Sequence, residues 1–293
     1  MTDIKLRAPE ALVTCEWLAE NLDDPNLRIF DCSTQLLFEQ GGERPYRVVS
    51  CRDEHEAGHI PGAGCFDLQA DFSRADSPFG MTLAAPEVVA NAFAKHGLAD
   101  GTKVILYSRR SMSWSTRFWW MLRWLGFDNA AVLDGGYEAW LAGGHPVSTK
   151  RSAYPKGGFS VNLRGDLFVG KEQVLSGITD PSVSIVNALG PDLHSGENPR
   201  YGRPGRIPGS VNVPKVDLID PETGKFLPAD AIAARFAAAG VRDAQKHITY
   251  CGGGIFATVD AFWLYQLGHS SVAVYDNSMS EWGPDPSLPI ERG

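Results

Sequence analysis

Two kinds of segment alternate along the chain. Short apolar runs with strand character occupy residues 27–31, 103–107 and 130–133, and again 183–187, 247–250 and 271–275. Compact apolar runs of this length fit strands buried on both faces. Between them lie amphipathic stretches with helical spacing at 86–96 and 228–239, closed by Gly97 and Gly240 as C-terminal caps. Proline and glycine punctuate the loops, most clearly at Ile60-Pro61-Gly62 and Ile207-Pro208-Gly209. Strands alternating with helices predict an α/β fold of parallel sheets, each with helices on both faces.

The series occurs twice. Val104-Ile105-Leu106-Tyr107-Ser108 is matched by His247-Ile248-Thr249-Tyr250-Cys251, and Phe118-Trp119 by Phe262-Trp263. Leu125-Gly126 answers Leu267-Gly268, and Ala131-Val132-Leu133-Asp134 answers Ala273-Val274-Tyr275-Asp276. Both series close on Glu-(Ala)-Trp, at Glu138 to Trp140 and at Glu281-Trp282, and the offset stays near 142 to 147 throughout. An ordered series at one offset signals two copies of one domain. The first copy is expected over 1–148 and the second over 166–293. The connector, 149–165, carries Lys150, Arg151, Pro155, Lys156, Gly157 and Gly158, a composition suited to an exposed link.

Composition narrows the function. The 293 residues are 43% hydrophobic and 21% charged, ordinary for a globular protein of two α/β units. A net charge of −8 disfavours nucleic acid as a partner. No apolar stretch has the length of a membrane span or a signal peptide, so a cytoplasmic location without membrane association is expected. The five cysteines are odd in number and form no C-x-x-C pair, so they are expected to be reduced.

One cysteine stands apart. Cys251 ends a predicted strand, where ligands bind in open parallel sheets. Gly252, Gly253 and Gly254 follow it, then Ile255 and Phe256, then a helix. Successive glycines let the backbone curl and turn its N–H groups inward as an anion-binding nest, and the helix adds the positive end of its dipole. Each effect favours a thiolate over a thiol. In the first copy the same position is Ser108, followed by Arg109, Arg110 and Ser111, so that copy is expected to be catalytically silent.

In these motifs the chain resembles the tandem rhodanese family, which includes thiosulfate and 3-mercaptopyruvate sulfurtransferases. The resemblance covers nearly the whole chain. It rests on the two Ile-Pro-Gly turns, the Tyr250-Cys251-Gly252-Gly253-Gly254 loop and the closing stretch from Tyr275 to Trp282. It implies that Cys251 takes a sulfane sulfur from a small donor as a persulfide and passes it to cyanide or a thiol. It implies no metal and no organic cofactor. The neutral loop is closer to the mercaptopyruvate type than to the thiosulfate type, which carries cations after the cysteine. It lacks that type's hydroxyl residue, whose place Gly253 takes. Mercaptopyruvate enzymes also clamp the donor carboxylate with arginines. Arg200 matches one of these, while Arg203 and Arg206 are candidates for the other, whose usual place falls near Leu193 and His194. Asn187 stands where the family usually has an acidic residue.

Other constellations carry less. Cys51, His55 and His59 have metal-ligand spacing on a helix, but Gly58 and Pro61 break a helix there and a loop is expected. Trp114, Phe118, Trp119, Trp120 and Trp124 are expected to pack a core or an interdomain face rather than stack bases. A phosphatase of similar fold needs an arginine late in the loop, where this chain has Ala257 and Thr258. The alternative to an enzyme is a sulfur-binding or docking module without turnover.

Overall fold

The computed structural model describes residues 4–38 and 46–293. The first half runs β1 (Leu12–Val13), α1 (Cys15–Glu20), β2 (Leu27–Asp31), β3 (Thr34–Phe38), β4 (Tyr46–Ser50), α2 (Arg52–Ala57), β5 (Gly64–Cys65), α3 (Leu68–Asp71) and α4 (Pro86–Lys95). It continues through β6 (Lys103–Tyr107), α5 (Ser113–Trp124), β7 (Ala130–Leu133) and α6 (Gly136–Ala142). The second half runs β8 (Phe168–Val169), α7 (Lys171–Gly177), β9 (Val183–Asn187), α8 (Pro191–Ser195), β10 (Val211–Asn212) and α9 (Ala229–Ala238). It closes with β11 (Lys246–Tyr250), α10 (Ala257–Gln266), β12 (Val272–Tyr275) and α11 (Ser278–Trp282).

Each half builds one parallel five-stranded sheet. Their orders, β1-β7-β6-β2-β5 and β8-β12-β11-β9-β10, are the same path taken twice. In both, the central strand lies in register with the strand before it: Asp31 opposite Tyr107, Asn187 opposite Tyr250. The period-2 pleat explains why the strands read as continuous apolar runs. Along β6, Val104 and Leu106 enter the core shared with the second half, while Ile105 and Tyr107 enter a separate cluster with Val13, Ile29 and Trp140.

The two halves share one core. The aromatic helix α5 lies against α10, with Trp119 edge-on to Phe262 at 4.9 Å between ring centroids. The hydroxyls of Thr116 and Thr258 meet at 2.7 Å between the helices. Fully buried Arg117 reaches across, donating to the Gly254 carbonyl at 3.2 Å and pairing with Asp276 at 2.5 Å. The tryptophans thus serve as core and as interface between the halves.

Three local expectations change. The loop after β2 contains an antiparallel ribbon, β3–β4, with Leu36 opposite Val48. A two-stranded ribbon has little stability alone and needs packing to persist. Leu36, Tyr46 and Val48 pack on the shared core. The stretch around His55 is a short helix, α2, rather than a loop, and Gly58 ends it. The connector is tied down: Tyr154 donates to the Gly62 carbonyl and accepts from the Ile29 amide, while Asn162 donates from its amide to the Leu125 carbonyl. Among the described residues no helix is long and apolar enough to cross a membrane.

Candidate active site

Cys251 follows β11 directly and is 1% exposed. Its amide donates to Ser278 Oγ at 3.0 Å, and that hydroxyl donates onward to the Tyr275 carbonyl at 2.7 Å. Ser278 holds φ +51°, a left-handed conformation that is strained for a residue with a side chain. The Cys251 and Gly252 carbonyls accept from the amides of Met279 and Ser280. The closing Tyr275–Trp282 stretch therefore braces the loop from behind.

The glycines are required by close approach. A Cβ at Gly252 would run into the Tyr201 hydroxyl, and one at Gly254, at φ +71°, into the Asp276 carbonyl. A Cβ at Gly253 would lie 2.6 Å from the Tyr46 hydroxyl. The space of the family's loop hydroxyl residue is thus approached by a hydroxyl from the first half. No backbone N–H from Gly252 to Phe256 meets an acceptor among the described residues. Buried amides are rarely left unpaired, so a run of them directly after a cysteine is available to negative charge.

The crevice over Cys251 is lined by Leu36, Tyr46, Met81, Tyr201 and the loop itself. Its volume is about 10 Å³, roughly the space of one water. Burial, with the nearby Cys251 and Tyr46, pushes Tyr201 upward against a smaller pull from Arg200, so its hydroxyl stays protonated. Lys215, from the turn Lys215–Leu218, also reaches this site: its Nζ sits 4.5 Å from the centroid of the Phe256 ring.

The arginines divide. Arg200 is exposed and lies by the Tyr201 hydroxyl, at the side of the crevice. Arg203 is engaged elsewhere: its Nε, Nη1 and Nη2 donate to the carbonyls of Gly283, Leu288, Trp282 and Asp285. Arg206 pairs with Glu291 and donates to the Gly293 carbonyl. Both hold the carboxyl-terminal segment against the turn at Ile207, and neither lines the crevice over Cys251. The Asn187 side chain donates to His194 Nδ1 at 3.0 Å and accepts from the Leu189 amide. Burial, helped by Arg206, pulls His194 down to about 4, so it is a neutral acceptor here.

In the first half the equivalent loop is filled from within. The Arg109 guanidinium pairs with fully buried Asp31 at 3.2 Å and lies 3.8 Å from the Tyr137 ring centroid. Burial pushes Asp31 upward, but bonds from His55 and Ser33 and the charge of Arg109 outweigh it and hold its carboxyl below the usual value. His55 and His59 stack at 4.1 Å, and His59 Nδ1 is engaged by the His55 carbonyl. Ser108 donates to the Ser111 carbonyl at 2.7 Å.

Sequence reasoning missed Ser278, Tyr201, Tyr46, Arg117 and Lys215 as parts of the site. Ser278 lay inside a quoted motif. The others are brought in by tertiary packing, and no local spacing signals them.

A buried cysteine at the carboxyl end of a parallel strand, cradled by unused amides, defines a site of the thiol-nucleophile class. Comparison with known proteins gives the family. The Rhodanese-like domain matches residues 14–143 and 173–285, and the chain belongs to the rhodanese family as a tandem of two such domains. The 3-mercaptopyruvate sulfurtransferase of Escherichia coli is 32% identical over 282 residues, covering 95% of this chain and 97% of the relative. The sulfur carrier protein TtuD of Thermus thermophilus is 28% identical over 298 residues, covering 97% and 98%. The solved structure of SseA, a 3-mercaptopyruvate sulfotransferase of Escherichia coli, superposes with a TM-score of 0.79 at 29% identity, covering 92% and 98%.

Proposed function

We propose that the protein is a sulfurtransferase moving a sulfane sulfur from 3-mercaptopyruvate or thiosulfate to cyanide or a thiol through a persulfide on Cys251. The observation that carries this reading is the run of unused amides from Gly252 to Phe256 around a buried cysteine. The Cys251 thiolate attacks the outer sulfur of the donor. The bond from that sulfur to carbon or to the sulfonate sulfur breaks. The leaving group departs with the electron pair, as the pyruvate enolate, which takes up a proton, or as sulfite. The acceptor's lone pair then attacks the outer persulfide sulfur, the S–S bond breaks, and the Cys251 thiolate is restored. The amide cradle stabilises the negative charge that moves between the two sulfurs. No metal or organic cofactor enters this sequence.

In this reading residues 166–293 carry the chemistry, 149–165 connect, and 1–148 form the silent copy, which supplies Leu36, Tyr46 and Met81 to the crevice. Arg200 is the candidate to meet the donor's anionic end at the mouth. Cys15, Cys32, Cys51, Cys65 and Cys251 are all free thiols, which supports a reducing cytoplasmic setting. The closed crevice favours one other reading, a carrier that accepts sulfur without turning over small acceptors, and TtuD is named as a sulfur carrier.

Steady-state turnover with 3-mercaptopyruvate and with thiosulfate, each against cyanide, tests the proposal. Multiple turnovers with either donor are expected. Stoichiometric uptake of sulfur without turnover would select the carrier reading, and no uptake from either donor would contradict both.

A further inference from the structure

We propose that Lys215 is a second, interior cation with which the Cys251 site, in addition to exposed Arg200 at its mouth, holds the anionic end of its sulfur donor, aimed there by Ser111 of the silent copy. The proposal rests on the sulfurtransferase reading for the identity of the ligand, and its test is independent of turnover.

Both candidate donors present an anion, a carboxylate or a sulfonate, to a crevice walled mainly by apolar and uncharged groups. Desolvating such a group without a counter-charge is costly. The loop from Cys251 to Phe256 contains no cationic side chain. Arg203 and Arg206 are committed to the carboxyl-terminal segment. Arg200 is exposed at the mouth, so a cation in the interior of the site has to come from elsewhere.

Lys215 begins the turn after β10, and its amide donates to the Ala188 carbonyl at 3.1 Å, which anchors it near the carboxyl end of β9. Its side chain leans over the Phe256 ring at 4.5 Å, a favourable seat for an ammonium. Its Nζ donates to Ser111 Oγ at 2.9 Å, across the boundary between the halves. Ser111 donates in turn to Ser113 Oγ at 3.1 Å. An ammonium carries three N–H donors. Among the described residues the Lys215 ammonium has this one hydrogen bond and no carboxylate partner. Burial pulls its ammonium down to about 8, and the group that pulls the other way is Cys251. A half-buried ammonium with donors to spare, seated on Phe256 of the Cys251 loop, is arranged to receive an anion beside that cysteine.

The silent copy thereby gains a chemical task. Its loop has lost the thiol but keeps Ser111, whose hydroxyl fixes the direction of the cation.

The test compares alkylation of Cys251 by iodoacetate, an anion, and by iodoacetamide, its neutral counterpart, read on the Cys251 peptide of the full chain. The ratio of the two rates reports positive charge at the sulfur, and access to the crevice cancels between reagents of similar size. Lys215→Met and Lys215→Gln are expected to lower the iodoacetate-to-iodoacetamide ratio about tenfold, the change carried by roughly 1.4 kcal/mol. Lys215→Arg is expected to keep it, and Ser111→Ala to lower it by a smaller factor. The KM for whichever donor turns over should rise in Lys215→Met. An unchanged ratio in Lys215→Met and Lys215→Gln overturns the proposal, as does an equal loss in Lys215→Arg. If neither donor turns over while the ratio falls as expected, the cation stands and the sulfurtransferase reading fails.

Discussion

The loop after β6 and the loop after β11 occupy the same place in the same fold, yet one spends its amides on its own neighbours and the other leaves them open. In the first, the amide of Arg109 donates to Ser33 Oγ, that of Arg110 to Glu138, and that of Ser111 to the Arg109 carbonyl. In the second, the amides from Gly252 to Phe256 have no acceptor among the described residues. The first loop buries an ion pair, Asp31 with Arg109. The open loop has Asn187 and Gly252 at the matching positions, neither of them charged. The paired substitutions have one physical meaning. Without a carboxylate at 187, an arginine at 252 would have no buried partner to neutralise, so the two charges are absent together.

Breaking this pattern should have graded effects. The largest is on stability in the silent loop. Arg109→Met strands the Asp31 carboxylate with His55 and Ser33 alone, and thermal or denaturant unfolding should show a loss of about 3–5 kcal/mol. Sulfur transfer per folded molecule should change far less. Next comes Asn187→Asp, which returns the carboxylate to the open loop without its arginine. Persulfide formation on Cys251 should slow about tenfold, measured by single-turnover kinetics, since one pKa unit of electrostatic opposition is roughly 1.4 kcal/mol. The smallest effect is expected from Ser108→Cys. A thiol alone in the first loop meets no free cradle, so mass analysis of that peptide should find no added sulfur, and turnover should stay at the parent level.

The contrast was partly legible in the sequence. The repeat, the strand that ends on Cys251, and the triple glycine are local signals, and the serine at 108 was visible by register. The parallel sheets followed from the apolar runs, because strands buried on both faces leave that mark. The ribbon of Thr34–Phe38 with Tyr46–Ser50 was not legible, since its stability depends on packing in the shared core. The arginines show the limit most clearly. Arg203 and Arg206 had the right chemistry near the right turn, but the returning chain from Trp282 to Gly293 takes their donors. Lys215 gave no signal, because Phe256 and Ser111 come to it from distant parts of the chain.

The central claim is that sulfur resides on Cys251. The most direct measurement is peptide mass analysis of the full chain after one exposure to 3-mercaptopyruvate or thiosulfate. The account predicts a single added sulfur on the Cys251 peptide, removed by cyanide and absent from Cys251→Ser. Sulfur carried instead by Cys51 or Cys65, or undiminished transfer by Cys251→Ser, would contradict it.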